Sequence, residues 1–164
     1  MGDASDPFAR LLDEHGDFIE KLSELEATLD EMMATLEVTE ENRILLDEAI
    51  RFFEEELVPH FRLEEESVLP ILEVKLGRFG SLVNVVQYEH DEIRREIGKL
   101  KEARAALDLE RPPAAAIYEM NRHGVFTIQF LADHFRKEKV SLFPTARAEL
   151  ARDDLEAIRA RLGT

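Results

Sequence analysis

A duplicated helical signature constrains this chain more than any other feature. His60-Phe61-Arg62-Leu63-Glu64 returns 74 positions later as His134-Phe135-Arg136-Lys137-Glu138, and Ser67 and Pro70 return as Ser141 and Pro144 at the same offset. Glu14-His15 returns after 75 positions as Glu89-His90. The chain's seven glycines and six prolines leave long stretches in which apolar residues recur at three and four rather than two, the period of a helix and not of a strand. Two helical hairpins, each carrying a lone histidine and then His-x-x-x-Glu, would face each other across a pseudo-two-fold axis.

Start and stop signals divide the chain further. Asp6 with Pro7 reads as an N-cap and first helical position, and the stripe Phe8, Leu11, Leu12, His15, Phe18, Ile19, Leu22 runs on to about Leu36. Thr39 caps a second helix that persists to Leu76 and stops at Gly77. Ser81 opens a third, which fades near Leu107; Pro112 and Pro113 start a fourth, which runs to about Leu142 with Pro144 as its stop. A weaker amphipathic segment, about residues 147–162, ends at Gly163 as a short fifth helix. Links of a few residues force successive helices to lie antiparallel. The expected fold is all-α: an up-down-up-down antiparallel four-helix bundle over about residues 7–145, with the C-terminal helix packed outside it, in a single domain spanning 1–164.

Composition excludes several function classes. Hydrophobic residues make up 45%, enough for a packed core. The balance of 21 basic against 36 acidic residues gives a net charge of −15, and no basic cluster stands out, so nucleic acid and anionic membrane are poor partners. The absence of cysteine removes disulfides, thiolate nucleophiles, zinc fingers and Cys-ligated iron–sulfur clusters, so any metal is held by nitrogen and oxygen. Met1–Pro7 lacks a basic stretch followed by an apolar one, and no run of about 18 apolar residues occurs; a cytoplasmic protein is the expectation.

The chemistry sits on the repeat. Residues four apart on a helix project from one face, so His60 with Glu64, and His134 with Glu138, can each grip a common ligand. His15 and His90 fall inside apolar stripes and should point inward. Burying four imidazoles and two carboxylates without partners would cost about 1 to 3 kcal/mol each, against a domain stability of roughly 5 to 15 kcal/mol. Mutual hydrogen bonding meets part of that need. Two divalent cations meet it better, each taking two imidazoles while both glutamates bridge, with exchangeable positions left over. The residue types alone accept iron, manganese or zinc.

With His15, then HFRLEEESVLP beginning at His60, EHDEI around His90 and HFRKEKVSLFP beginning at His134, the chain resembles the hemerythrin-like, or HHE cation-binding, family over about residues 8–145. That resemblance implies a non-haem di-iron bundle whose ligands are His15, His60, Glu64, His90, His134 and Glu138, with Glu64 and Glu138 bridging and an oxo or hydroxo bridge completing the pair. The oxygen-carrying members have a fifth histidine one turn before the third-helix histidine, where this chain has Val86, and a fourth-helix aspartate five residues after its histidine, where Glu138 here follows by four. The four-histidine, two-glutamate set is more like members associated with iron sensing, nitric oxide stress and iron–sulfur cluster repair. The implied partner is a small molecule such as O₂, NO or peroxide, bound or turned over by redox chemistry. Reversible oxygen or iron storage and a metal-dependent regulatory module are the alternatives, and the sequence names no redox or regulatory protein partner.

Other residues carry plainer expectations. His123 lies about 16 Å along the helix from His134, too far for the same centre; it reads as a polar residue near the bundle end, with a separate weak site shared with Glu119 as the alternative. Glu56 sits one turn before His60, either lining an access path or solvated. Glu14 and Glu89 are offset by about 100° from their neighbouring histidines and so face water or another helix. Glu54, Glu55, Glu56, Glu65 and Glu66 read as solvated face, and Tyr88 and Tyr118 as rim packing, with supply of a proton or radical near the metals as the alternative. Phe53, Phe61, Phe126, Phe130 and Phe135 read as core and as the dry wall of the site. Pro59 interrupts the second helix at a cost on the order of 3 kcal/mol.

Overall fold

The computed structural model describes residues 6–77 and 81–163; Met1–Ser5, and with them most of the Met1–Pro7 stretch on which the cytoplasmic expectation rests, lie outside the described residues. Every regular element among the described residues is helical. They are α1 (Ala9–Thr35), α2 (Glu40–Phe52), a wide turn of π-helix (Phe53–Leu57), α3 (Val58–Ser67), α4 (Leu69–Leu76), α5 (Leu82–Ala105), α6 (Ala114–Lys137), a second π-turn (Glu138–Leu142), α7 (Phe143–Glu149) and α8 (Arg152–Leu162). Among the described residues, no helix is long and apolar enough to cross a membrane.

The helix ends follow the local chemistry. Asp6 Oδ1 accepts from the Phe8 N–H at 3.2 Å, starting α1 two residues later than the Asp-Pro signal suggests. Thr39 and Asn42 form a reciprocal capping box at 3.0 and 2.9 Å. The Asn42 amide also donates to Glu31 Oε2 at 2.6 Å, tying the end of α1 to the start of α2. Gly77, at φ 78°, and Gly163, at φ 71°, terminate α4 and α8 in backbone conformations that a Cβ disfavours.

Proline behaves differently from expectation. Pro144 does not stop the fourth helix: it sits in the first turn of α7, and the chain stays helical to Glu149. A proline ring collides with the carbonyl four residues back and donates no hydrogen bond. Here the turn before it widens by one residue, so that the Phe143 N–H reaches the Glu138 carbonyl. The same device precedes Pro59, where the Val58 N–H reaches the Phe53 carbonyl. The break before α8 falls at Leu150, whose backbone is extended, so the fifth helix begins at Arg152 rather than near residue 147.

Four rods close a ring in which α1 packs on α2 and α6, and α5 packs on α2 and α6. Inside are two apolar cores. The larger includes Phe18, Leu22, Leu29, Leu46, Phe53, Leu57, Phe61, Ile93, Leu100, Leu131 and Phe135. The smaller includes Phe8, Leu11, Val68, Leu72, Val86, Leu142, Phe143, Ile158 and Leu162. α8 is therefore not an appendage: it packs on α3 and supplies two fully buried side chains to the smaller core. Arg10 Nη1 donates to its last carbonyl, at Leu162, at 2.5 Å. Phe126 is not part of the core; it is 44% exposed and lies against Phe130, itself only partly buried.

Two helical glycines probe the packing. A Cβ on Gly124 would overlap the buried Leu29 side chain, whereas one on Gly98, on an exposed face, meets nothing within 4 Å. Gly98→Ala should raise stability by roughly 0.5–1 kcal/mol through helix propensity. Gly124→Ala should lower it, because overpacking costs about 1–3 kcal/mol. Chemical denaturation of the two variants side by side checks the opposite signs.

Candidate metal centre

The six polar residues singled out by the repeat form a layer between the two cores. On α1, His15 lies between Leu11 of the smaller core and Phe18 of the larger; on α5, His90 lies between Val86 and Ile93 in the same order. On α3, His60 and Glu64 lie between Leu57 and Val68, and His134 and Glu138 lie between Leu131 and Leu142, in the reverse order. All six are buried, and Glu64, His90, His134 and Glu138 are 0% exposed.

Their donor atoms converge as two overlapping groups. His15, His60, Glu64 and Glu138 offer atoms all within 4.8 Å of one another, and so do Glu64, His90, His134 and Glu138. The two carboxylates are common to both. Glu64 turns Oε1 toward His60 Nε2 (2.6 Å) and His15 Nε2 (3.9 Å), and Oε2 toward His90 Nε2 (3.4 Å). Glu138 Oε1 lies 3.0 Å from His134 Nε2 and 3.4 Å from His15 Nε2. These approaches lack hydrogen-bond geometry. The Nε2 atoms of all four histidines and all four carboxylate oxygens have no hydrogen-bond partner. Buried polar atoms left so are costly and rare. Nitrogen and oxygen atoms gathered within 4.8 Å of one another, with no sulfur among them, suit borderline and hard divalent cations.

Aromatic rings keep the layer dry. His90 stacks on Phe61 with centroids 4.0 Å apart, His15 lies 4.5 Å from the Phe135 ring, and Phe18 meets His60 edge-on at 4.9 Å.

Behind the imidazoles stand carboxylates whose role the sequence left open. Glu14 and Glu89 do face a neighbouring helix, and each meets the histidine of a His-x-x-x-Glu pair there. Glu14 Oε2 is 2.6 Å from His60 Nδ1, and Glu89 Oε1 is 3.1 Å from His134 Nδ1. An ionised carboxylate only accepts, so Nδ1 carries the proton and Nε2 is turned to the site. Glu65, read as solvated, is instead half-buried, 3.5 Å from His90 Nδ1 and paired with Arg94 at 2.6 Å. The signal available in the sequence was the repetition of Glu-His itself; Glu65 was hidden in a run of glutamates.

The remaining candidates lie elsewhere. His123 Nδ1 is 2.6 Å from the buried Glu96, which accounts for this histidine away from the six-residue layer. Glu56 is exposed and borders a cavity of about 240 Å³ that reaches His60 and is also lined by Arg10, Glu14 and Phe18. Tyr88 and Tyr118 are 59% and 49% exposed. Val86 is buried in the smaller core.

The electrostatics show what the cluster demands. Burial alone would push the imidazoles down, but the charge of Glu64 and hydrogen bonding to Glu14 lift His60 to about 9, and the charge of Glu138 with contacts to Glu138 and Glu89 lifts His134 to about 10. Burial likewise opposes ionisation of Glu64, yet the His60 charge holds it well below the ordinary carboxylate range. Protons thus stand in for cations when no metal is bound. Both folded values lie above the unfolded one, near 6.5, so the stabilisation is complete below about pH 6.5 and is lost as pH rises through 9 and 10. Metal-free protein should therefore melt at a lower temperature at pH 9.5 than at pH 6.5, and thermal melts followed by circular dichroism check this.

A helical bundle with a buried, shared histidine and carboxylate layer is laid out as a binuclear metal protein. The Hemerythrin HHE cation binding domain matches residues 6–146, and the chain belongs to that family. No curated protein matches the chain.

Proposed function

We propose that this chain is a non-haem di-iron protein that binds or reacts with a small molecule such as O₂, NO or peroxide, in sensing or stress protection. The observation that carries the reading is the set of partnerless Nε2 and carboxylate oxygen atoms, arranged as two four-residue groups sharing Glu64 and Glu138. His15 and His60 would hold one ion, His90 and His134 the other, and both glutamates would bridge. The order in which the rods cross the two cores, reversing from each rod to the next, supports the up-down-up-down topology expected from the short links.

Bound iron would supply one-electron redox chemistry and coordination positions that the six side chains do not fill. The protein's own part is to orient and to exclude water. Glu14 and Glu89 fix the tautomers of His60 and His134, and Phe18, Phe61 and Phe135 keep bulk water from the donors. A groove of about 770 Å³ between α1 and α6 reaches His15, with Leu12, Ile19, Ile128 and Phe135 among its walls. Its largely apolar lining suits uncharged diatomic molecules. Gly16 borders this groove, and a Cβ built there meets nothing within 4 Å.

Elemental analysis with a visible spectrum tests the assignment: about two irons per chain and oxo-bridged ferric absorption are expected, and protein that takes up no metal would overturn it. Glu64→Ala should cut the metal content by at least half, since it removes a donor from both groups, while His123→Ala should leave it unchanged. Equal losses would mean that the site is drawn wrongly. Gly16→Leu should keep the metal content and slow the stopped-flow binding of NO, because the leucine would narrow the groove.

A further inference from the structure

On the reading that six residues hold two ions, the donors treat the two positions alike; their surroundings do not. His90 and His134 are each backed by a carboxylate clamped by a cation. Glu65 lies between His90 and Arg94, its charge 3.5 Å from a His90 Nδ1 that makes no hydrogen bond, and Glu89 is hydrogen-bonded to His134 and lies beside Lys137, whose Nζ is 2.5 Å from Glu89 Oε2. On the other side, His60 has Glu14, itself bonded to Arg10 at 3.2 Å, but His15 has no counterpart. Among the described residues, the carboxylates within 4.0 Å of His15 are those of Glu64 and Glu138 within the site itself.

The repeat marks the position at which the symmetry fails. The repeat offset that maps His60 onto His134 maps Glu65 onto Lys139. The position that supplies a carboxylate behind His90 therefore carries the opposite charge in the second hairpin, and Lys139 lines the α1/α6 groove together with His15. A cation near this end opposes binding of another cation, and an imidazole with no carboxylate behind it is a weaker donor. Burial runs the same way: His90 and His134 are 0% exposed, against 5% for His15 and 3% for His60. The α1/α6 groove reaches His15, the smaller cavity reaches His60, and neither touches His90 or His134.

We infer that the two ion positions are unequal. The position at His90 and His134 fills first and retains its ion, whereas the position at His15 and His60 fills last and exchanges. Glu65 and Glu89 act as positioning residues for the tight position, Glu14 acts for the labile one, and Lys139 keeps the labile one weak.

Cobalt(II) serves as the probe, because it is spectroscopically visible and suits nitrogen and oxygen donors. Protein loaded with cobalt is mixed with excess chelator, and release is followed by visible absorbance. Two phases of one ion each are expected. Glu89→Gln should accelerate the slow phase by about tenfold or more while sparing the fast one, and Glu14→Gln should accelerate the fast phase by a similar factor. Lys139→Glu, at an exposed position, should slow the fast phase and bring the two rates together. A structural loosening of the bundle would instead speed both phases. Release of two ions in a single phase, or acceleration of the fast phase by Glu89→Gln, would overturn the inference while leaving the binuclear centre standing; failure to bind cobalt would overturn both.

Discussion

Everything in this fold is arranged around a layer of buried lone pairs. Four imidazole nitrogens and four carboxylate oxygens point inward without a hydrogen-bond partner, in a chain whose other buried side chains are mostly aliphatic or aromatic. An apolar bundle tolerates such a layer only if positive charge is supplied to it. With no metal bound, protons on the histidines fill that role, which is why His60 and His134 are lifted so far above ordinary imidazole behaviour. The family to which the chain belongs is named for the other solution, cations.

The two widened turns that accommodate Pro59 and Pro144 both fall beside the layer. One π-turn ends just ahead of Pro59 and His60, and the other begins at Glu138 itself. Each adds a residue to a turn, which changes the angular phase between side chains before and after it. The widenings fall at different places in the two hairpins, although the histidines and glutamates correspond. The pseudo-symmetry is thus one of chemistry at the centre rather than of backbone path.

Much of this was legible in the residues. The six inward-facing donors announced themselves because they repeat at one spacing and lie on apolar stripes, where a polar residue needs a reason. The long helices followed from periodicity and from caps such as Thr39 and Gly77. What stayed hidden depended on geometry between helices. The direction of Glu14 relative to His15 can be computed from one helix; its meeting with His60 depends on how α1 sits against α3. Glu65 was indistinguishable from its solvated neighbours until Arg94 and His90 were placed beside it. Pro144 looked like a stop because the rule assumes a regular helix, and the π-turn removes that assumption. Phe126 shares the spacing of the core phenylalanines, yet it falls on the outer face of α6.

The C-terminal helix carries a consequence for where this domain ends. The family match closes at residue 146, yet Ile158 and Leu162 are fully buried in the smaller core that forms one side of the donor layer. A boundary drawn by kinship alone would cut through hydrophobic packing that shields the centre. Residues beyond the matched range thus help to close one side of the donor layer, and a chain cut at 146 would leave that side open to water.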